Sequence, residues 1–263
     1  MAKNRDKNYE RVYGINPVYS LVRTNAGKRK IYEILISSRR KKDLKVTKII
    51  KEAVKQNIDI KEFTPSRSDD TLNNINGSQG VYAVVSPYNY SNLGDFMDKE
   101  TGSKSSGKLR LIILDGVTDV GNFGSIIRNC HAFGFKGIII PKRRSVAVSE
   151  RVSKISAGAL EEVKIFRIVN TTRTIKELKK RGFWIYGTTL DIKPGVKSLD
   201  EVSFTFPMAL ILGSEDKGIS RLVSSNCDIM ISIKLSGRMQ SLNVSVASGI
   251  ILYRIQEQIE GRD

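Results

Sequence analysis

Apolar positions in the carboxyl-terminal part of this chain follow two alternating patterns. Short continuous apolar runs, typical of buried strands, alternate with stretches in which apolar residues recur every three to four positions, as on one helix face. The runs predict strands at 109–114, 137–140, 163–167, 183–188, 209–212 and 230–233. The helical spacing predicts helices at 124–133, 150–156, 171–181 and from about 243 onward. This alternation predicts an α/β domain whose mostly parallel sheet is covered on both faces.

The amino-terminal part has a shorter, mixed pattern. Pro17 suits the first turn of a helix, and Val18, Leu21 and Val22 follow it at helical spacing. Further elements are predicted at 31–37 (strand), 46–56 (helix) and 81–85 (buried strand). We therefore expect a second, smaller α/β domain.

Residues 87–108 separate these two patterns. They are rich in Ser, Gly and Asn and carry few apolar side chains, as is typical of a flexible linker. Charged residues give net values of +9 for 1–86, 0 for 87–108 and +8 for 109–263. The sequence thus predicts a first domain at 1–86, a flexible linker at 87–108 and a second domain at 109–263.

The charge balance bounds the function. Lys and Arg number 44 against 27 Asp and Glu, which gives a net charge of +17. Such an excess indicates a polyanionic partner, most often nucleic acid; a solvated basic surface in a protein from an AT-rich genome is the alternative. Apolar runs are far shorter than the roughly 20 residues of a membrane span, so no membrane role is expected. The Lys-, Ile- and Asn-rich composition suits the cytoplasm of a bacterium, or an organellar stroma or matrix.

Cysteine and histidine usage disfavours several chemistries. Cys130 and Cys227 are far apart and match no metal or disulfide spacing. The single histidine, His131, makes a His-ligated metal centre or a Ser/His/Asp triad a poor hypothesis, so no metal is expected. A cluster of four cations at 39–42 is either a solvated turn or a patch that contacts phosphates.

Three loops follow predicted strands of the second domain. They read DGVTDVGNFGSIIRN after Leu114, GSEDKGIS after Leu212 and KLSGRMQSLNVS after Ile233. Their glycines let backbone approach a ligand closely, and ligands of such folds bind beyond the carboxyl ends of the strands. None of the loops matches a dinucleotide or P-loop pattern. Each is compatible with a simple turn before a helix, but three together favour a binding site.

The three loops resemble the SpoU/TrmH branch of the knotted RNA methyltransferases. The matching segments are Asn122-Phe-Gly124-Ser-Ile-Ile-Arg128, Gly213-Ser214-Glu215-Asp216-Lys217-Gly218 and Ser241-Leu242-Asn243-Val244-Ser245. This likeness spans about residues 109–258. Residues 10–86 more loosely resemble the substrate-binding domain of members that methylate ribose in large-subunit ribosomal RNA, a domain with a fold like a small ribosomal protein.

The resemblance implies methyl transfer from S-adenosylmethionine to a ribose 2′-hydroxyl of RNA, with a guanosine of large-subunit ribosomal RNA as the expected target. A transfer-RNA 2′-O-methyltransferase is the alternative enzyme, and a non-catalytic RNA-binding ribosome-assembly factor is the alternative of another class. The reaction needs no metal, because the sulfonium already carries a good leaving group and the protein aligns donor and acceptor. The family also implies a trefoil knot that forms the cofactor pocket.

The resemblance further implies roles for individual residues. The expected catalytic set is Arg128, Asn122, Glu215, Ser241 and Asn243, and backbone at Gly213, Ile233 and Leu242 is expected to hold the cofactor. Arg128 either accepts the hydroxyl proton with help from a phosphate and Ser241, or holds the hydroxyl and phosphate in line. Lys234-Leu235 stands where the family often has Pro-Met.

The last predicted helix indicates a homodimer built on the second domain. Its apolar residues are Val244, Val246, Ala247, Ile250, Ile251, Leu252, Tyr253 and Ile255. They cover more of the helix circumference than one core-facing stripe requires, so a second face should be buried. In the resembling family this region forms the subunit contact.

Overall fold

The computed structural model describes residues 9–24, 29–64, 79–101, 108–191, 193–237 and 241–261. The chain divides into two compact units. Unit 1 comprises residues 1–89 and 148–162, and unit 2 comprises residues 90–147 and 163–263. The segment 148–162 therefore packs in unit 1, although its sequence lies within the stretch that carries the three motifs.

Helices and strands alternate along most of the described chain. The strands are β1 (Glu10–Tyr13), β2 (Ile31–Ser37), β3 (Asp59–Phe63), β4 (Val81–Val85), β5 (Arg110–Asp115), β6 (Gly137–Pro141), β7 (Lys164–Ile168), β8 (Trp184–Thr188), β9 (Val196–Ser198), β10 (Met208–Gly213) and β11 (Ile229–Ser232). The α-helices are α1 (Ile15–Thr24), α2 (Leu44–Lys55), α3 (Leu93–Thr101), α4 (Val120–Ala132), α5 (Glu150–Ile155), α6 (Thr171–Lys180), α7 (Arg221–Ser224) and α8 (Val244–Glu260). Short 3₁₀ turns occur at Ser38–Arg40, Ala159–Glu161 and Leu199–Glu201.

Unit 1 contains a four-stranded sheet in the order β1-β4-β2-β3. Strands β2 and β3 are parallel, and β4 is antiparallel to both of its neighbours. Alternate residues of these strands, such as Ile34, Ile36 and Ala83, pack with the apolar faces of α1 and α2. This alternation explains why the strands predicted at 31–37 and 81–85 have the expected bounds. It also leaves every second strand residue on the face that these helices do not cover.

Unit 2 contains a seven-stranded sheet in the order β7-β6-β5-β10-β8-β11-β9. Every neighbouring pair in this order is parallel. All six residues of β10 are buried, as expected for a central parallel strand with both faces covered. The predicted α/β fold with a mostly parallel sheet is therefore confirmed.

Helices cover both faces of this second sheet. One core cluster joins side chains of α3, α6 and α7, among them Phe96, Ile175 and Val223, to strand residues that include Ile113 and Ile211. The neighbouring strand residues, such as Ile112 and Leu210, face the other way and are also fully buried. Helix α4 contacts β6 and α8 contacts β10, so this helix pair covers the second face. Among the described residues, no helix is long and apolar enough to cross a membrane.

The prediction of a flexible linker at 87–108 is wrong for much of the part of this segment that the structure describes, because α3 occupies Leu93–Thr101. Asn92 begins this helix, since its Oδ1 accepts a hydrogen bond from the backbone N of Asp95 at 3.1 Å. Phe96 and Met97 are buried in the core of unit 2. Composition alone suggested a linker, but apolar side chains at 93, 96 and 97 form one helix face that packs against the sheet.

Candidate active site

The candidate site lies at the carboxyl ends of the parallel strands of unit 2. Strands β5 and β10 are neighbours in the sheet, and β8 separates β10 from β11. The three motif-bearing segments follow β5, β10 and β11, so the sheet order brings them to the same edge. Ligand sites of open α/β sheets form at this edge.

A cavity of about 230 Å³ lies at this edge. Its lining residues are Thr188, Thr189, Leu190, Gly213, Ser214, Glu215, Gly218, Ile231, Ile233, Leu235, Ser241, Leu242, Val244, Ala247 and Ile251. The three positions expected to hold the cofactor, Gly213, Ile233 and Leu242, all line it, and so do Glu215 and Ser241. Mostly apolar walls with a few hydroxyl groups and one carboxylate suit a flat heterocycle that carries a cationic group. Within the described chain, no group of three or more His, Cys, Asp and Glu is placed to hold a metal ion.

The second motif forms a tight loop because its two glycines permit close backbone packing. A Cβ on Gly213 would lie 2.1 Å from the carbonyl carbon of Gly218, so no side chain fits there. The loop closes through Ser214 N donating to Gly218 O at 3.1 Å and Gly218 N donating to Ser214 O at 2.9 Å. Gly218 adopts a φ of +62°, which a residue with a Cβ rarely does. The loop therefore holds Glu215 in a fixed position at the cavity wall.

Three side chains, one from each motif, form a hydrogen-bonded cluster. The Nδ2 of Asn122 donates to Glu215 Oε1 at 2.8 Å. The Nδ2 of Asn243 donates to the same oxygen at 2.6 Å and to Asn122 Oδ1 at 2.9 Å. We call this set the Asn–Glu–Asn cluster. It brings together three residues that the sequence predicted to act in one site.

Both asparagines of the cluster sit at helix starts. The Oδ1 of Asn243 accepts from the backbone N of Ser245 at 2.9 Å and of Val246 at 3.3 Å, so this residue is the N-cap of α8. Asn122 lies inside the first turn of α4, where its backbone N donates to Asp119 Oδ1 at 2.7 Å. The predicted start of this helix at Gly124 is therefore late, because Asp119 caps it four residues after Asp115 ends β5.

Arg128 lies outside the Asn–Glu–Asn cluster. It follows Asn122 by six positions on α4 and points about 120° away from it around the helix axis. Its side chain is exposed, and among the described residues it has no hydrogen bond or ion pair. The N–H donors of the Arg128 guanidinium are therefore accessible to a ligand that binds on this side of α4.

Asn129 is a site residue that the sequence analysis missed. Its Nδ2 donates to Ser245 O at 2.9 Å and to Ser248 Oγ at 2.8 Å, which ties α4 to α8 directly beside Arg128. Ser248 is fully buried. The available signal was helical spacing, since Asn129 follows Asn122 by seven positions and so faces the same side of the helix.

The departure at Lys234-Leu235 leaves the cavity wall apolar. Leu235 lines the cavity, whereas Lys234 is exposed. The pKa of Asp200 lies below its usual range, mainly because Ser198 donates a hydrogen bond to it, with a smaller contribution from the charge of Lys234. The charge of Lys234 thus helps to lower the pKa of Asp200, and Leu235 contributes an apolar side chain to the cavity lining. Residues 238–240, within the third loop, lie outside the described residues.

The basic cluster of unit 1 is partly neutralised. Lys41 forms an ion pair with Glu62, and Arg40 lies 4.0 Å from a carboxylate oxygen of Asp43. Arg39 and Lys42 are exposed. Both interpretations of the cluster, a solvated turn or a phosphate contact, stay open.

Two family sequence models match the chain. The model described as the SpoU rRNA Methylase family matches residues 110–253, more than half of the chain. The model described as RNA 2′-O ribose methyltransferase substrate binding matches residues 11–91.

The chain is also similar to whole proteins. It is 39% identical over 225 residues to a protein of Staphylococcus aureus strain COL that is named as a TrmH family tRNA/rRNA methyltransferase, and the match covers 86% of this chain and 88% of that protein. It is 39% identical over 232 residues to an uncharacterized tRNA/rRNA methyltransferase of Synechocystis sp. PCC 6803. That match covers 88% of this chain but only 59% of the Synechocystis protein, so the chain spans less than two thirds of this relative.

Among solved structures, the SpoU methyltransferase AviRb of Streptomyces viridochromogenes in complex with S-adenosylmethionine has a similar fold. The TM-score is 0.72 at 21% identity, and the superposition covers 96% of this chain and 91% of that chain. This likeness shows a shared fold.

Proposed function

Since the chain belongs to the SpoU/TrmH family of RNA methyltransferases, enzymes that use S-adenosylmethionine, we propose that it methylates a ribose 2′-hydroxyl of ribosomal RNA. The expected target is a guanosine of the large subunit. The family matches confirm the family that the three motifs indicated. The observation that carries the proposal is the Asn–Glu–Asn cluster, which joins all three motifs at the wall of one cavity.

The residues that line the cavity suit S-adenosylmethionine. The apolar side chains of Ile233, Leu235 and Leu242 would hold the adenine ring, and the backbone at Gly213, where no side chain fits, would hold the ribose. The carboxylate of Glu215 at the wall favours a cationic ligand. When bound, the cofactor supplies a methyl group on a sulfonium sulfur.

The side chains then divide into two roles. The Asn–Glu–Asn cluster fixes the loop after β10 against the starts of α4 and α8, so it keeps the cavity wall in place before the substrates arrive. Arg128, exposed on α4, is assigned to the acceptor nucleotide. A free guanidinium is a poor base, so Arg128 either holds the hydroxyl and its phosphate in line, or receives the proton with help from a phosphate and Ser241.

Unit 1 is proposed to bind the RNA. The substrate-binding family model matches residues 11–91, and its description names 2′-O ribose methylation. This support favours the ribose hydroxyl over a base as acceptor. A transfer-RNA target is the second candidate, since relatives carry tRNA/rRNA in their names.

A homodimer through unit 2 is also proposed. Val246, Ile250 and Tyr253 are exposed on α8 and follow one another at four and three positions, which places them on one stripe. The Tyr253 ring meets that of Phe133 edge-on, with centroids 6.3 Å apart. A second copy would bury this stripe, and a two-fold interface is the commonest solution. Light scattering at micromolar concentration tests it: a mass near 29.4 kDa would contradict the dimer.

The function is tested by incubating the purified protein with isotopically labelled S-adenosylmethionine and either ribosomal RNA or transfer RNA. Label in ribosomal RNA that maps to a 2′-O-methylguanosine supports the proposal. Label in transfer RNA alone would mean that the substrate is transfer RNA, while the proposed methyl transfer would still hold. Calorimetry with S-adenosylmethionine tests the alternative of a non-catalytic ribosome-assembly factor, because failure to bind the cofactor would contradict any catalytic role.

A further inference from the structure

Unit 1 presents an aromatic sheet face that α1 and α2 do not cover. Strand residues on this side lie opposite one another in register: Tyr13 pairs with Tyr82, Tyr82 with Leu35, and Leu35 with Lys61. The aromatic residues on this side are Tyr9, Tyr13, Tyr32, Phe63 and Tyr82. We call this set the tyrosine face. A sheet face turned away from its core is normally polar, so five aromatic side chains here require an explanation.

The tyrosine face has a buried floor and two exposed rings. Tyr13 and Tyr82 are buried with ring centroids 5.9 Å apart, and Phe63 lies 5.9 Å from Tyr82 on the other side. Tyr9 is 42% exposed and Tyr32 is 44% exposed. The exposed rings border a cavity of about 330 Å³ whose lining residues are Tyr9, Arg11, Tyr32, Glu33, Tyr82 and Val84.

Each exposed ring is accompanied by a cation. The guanidinium of Arg11 lies 5.8 Å from the centroid of the Tyr9 ring, and Lys30 Nζ lies 5.2 Å from that of Tyr32. Half-exposed aromatic rings alternating with cations match the two parts of a nucleotide, a flat base and a phosphate. Base stacking on aromatic side chains together with a basic surface is how proteins bind single-stranded nucleic acid. An apolar protein helix fits less well, because charged side chains interrupt the face.

We propose that the tyrosine face binds unpaired nucleotides of the RNA substrate. Tyr9 and Tyr32 stack on bases, while Arg11 and Lys30 contact phosphates. The inference rests on the proposed function, since it names how unit 1 holds RNA, and it adds that the substrate carries a single-stranded stretch. Bases within a duplex are already stacked and cannot reach the rings.

The test uses the full chain and two fluorescent probes, a 12-nucleotide single-stranded RNA of mixed sequence and a duplex of that sequence. Replacing both exposed tyrosines by alanine (Tyr9→Ala with Tyr32→Ala) should weaken binding of the single strand about tenfold or more, because each stacked base contributes substantially. Replacing both by phenylalanine keeps the rings and should retain the affinity within about twofold. Duplex affinity should stay unchanged in both variants.

Leu44→Ala is the matched control, since Leu44 is an 83% exposed apolar side chain of the same unit on α2. It should bind both probes like the wild type. Wild-type affinity of the double alanine variant for the single strand would overturn the proposal, as would an equal loss for the duplex. Thermal unfolding of each variant shows whether unit 1 is intact. If the alanine variant is unstable, Tyr9→Leu with Tyr32→Leu replaces it, since leucine keeps an apolar side chain without a ring; this variant should lose the same single-strand affinity, and wild-type affinity in it would overturn the proposal.

Labelled methyl transfer and cofactor binding by the wild type separate this inference from the proposed function. If the wild type methylates no RNA yet the alanine variant loses single-strand binding, the proposed function fails and the tyrosine face stands. If the wild type methylates RNA and the alanine variant binds the single strand normally, the tyrosine face fails alone.

Discussion

The two sheets of this protein present their chemistry in different places. In unit 2 both faces are buried under helices, and polar function is confined to the carboxyl ends of the strands. In unit 1 the helices α1 and α2 cover one face, and the other carries aromatic and charged side chains, some of them exposed. In a parallel sheet that helices cover on both faces, a ligand can therefore bind only at the ends of the strands. A sheet that helices cover on one face can also bind a ligand on its other face.

The difference extends to how the functional side chains are held. At the edge of the unit 2 sheet, Asn122, Glu215 and Asn243 hydrogen-bond to one another, so their positions are set before any ligand binds. On the tyrosine face, Tyr9 and Tyr32 are half exposed, and no hydrogen bond among the described residues fixes their rings. Fixed geometry suits a reaction at one atom, and an adjustable surface suits the holding of a long substrate.

The largest effect is expected where the fixed geometry of unit 2 depends on backbone contact. Gly213→Ala places a methyl group against the backbone of Gly218, so it should abolish cofactor binding and lower the free energy of unfolding by about 3 kcal/mol. Calorimetry and urea denaturation measure the two effects. Gly237→Ala is the control, because a Cβ there meets nothing within 4 Å. Normal cofactor affinity in Gly213→Ala would show that the loop is adjustable after all.

Arg128→Ala should remove activity without removing structure. We expect methyl transfer to fall about a hundredfold or more, since donors aimed at the reacting group are worth that much. Cofactor affinity and unfolding should match the wild type, because Arg128 has no partner in the described part of the chain. His131→Ala, at another exposed position of α4, should remain active. Comparable losses in both variants would reject the assignment of Arg128 to the acceptor.

Unit 1 contains a buried group of ion pairs around Arg29. Arg29 is buried and pairs with Glu10 at 2.5 Å and with Glu161, in the segment 148–162, at 3.4 Å. Arg29→Met removes the buried cation that pairs with Glu161, which should cost about 3 kcal/mol in the free energy of unfolding. Arg23→Met removes the exposed pair with Glu162 and should have little effect. Similar unfolding curves for the two variants would mean that the buried pair adds no stability.

Asn129→Ala should give a smaller effect, confined to the rate. Losing the tie between α4 and α8 should lower kcat about tenfold while KM for S-adenosylmethionine stays the same, because the cavity wall is held by other residues. Ser248→Ala removes the side-chain acceptor and should act in the same direction. A change in KM instead of kcat would indicate a role in cofactor binding.

The smallest effect concerns alkaline pH and depends on Cys227, a partly buried thiol of unit 2. Burial raises the pKa of Cys227 to about 12, whereas a thiol in the unfolded chain titrates near about 8.5. The thiol therefore ionises first in the unfolded state. The contribution of the un-ionised Cys227 thiol to the free energy of unfolding is fully present below about pH 8.5 and is lost as the pH rises toward 12. Cys227→Ser should reduce this decline in urea denaturation between pH 8.5 and 10. A slope identical to that of the wild type would contradict it.

Sequence patterns predicted the parallel sheet and the meeting of the three loops, because both depend on local periodicity and on where parallel strands end. They missed β3, whose Asp59–Phe63 sequence is mostly charged, because an exposed edge strand lacks an apolar run. They missed α3 because linker-like composition hid one apolar helix face. They also left Asn129 out, since a polar side chain that binds another helix shows its partner only in three dimensions.

The segment 148–162 carries a consequence for how this protein can be recombined. The chain passes between the two units at 89/90, 147/148 and 162/163. A chimera that exchanges residues 1–89 alone would keep Glu161 from one parent opposite Arg29 from another, and the acceptor for the backbone N of Arg11, Glu150, would also be foreign. Transplantation of unit 1 into a relative therefore requires two fragments, 1–89 and 148–162, to be exchanged together, which a single crossover cannot do.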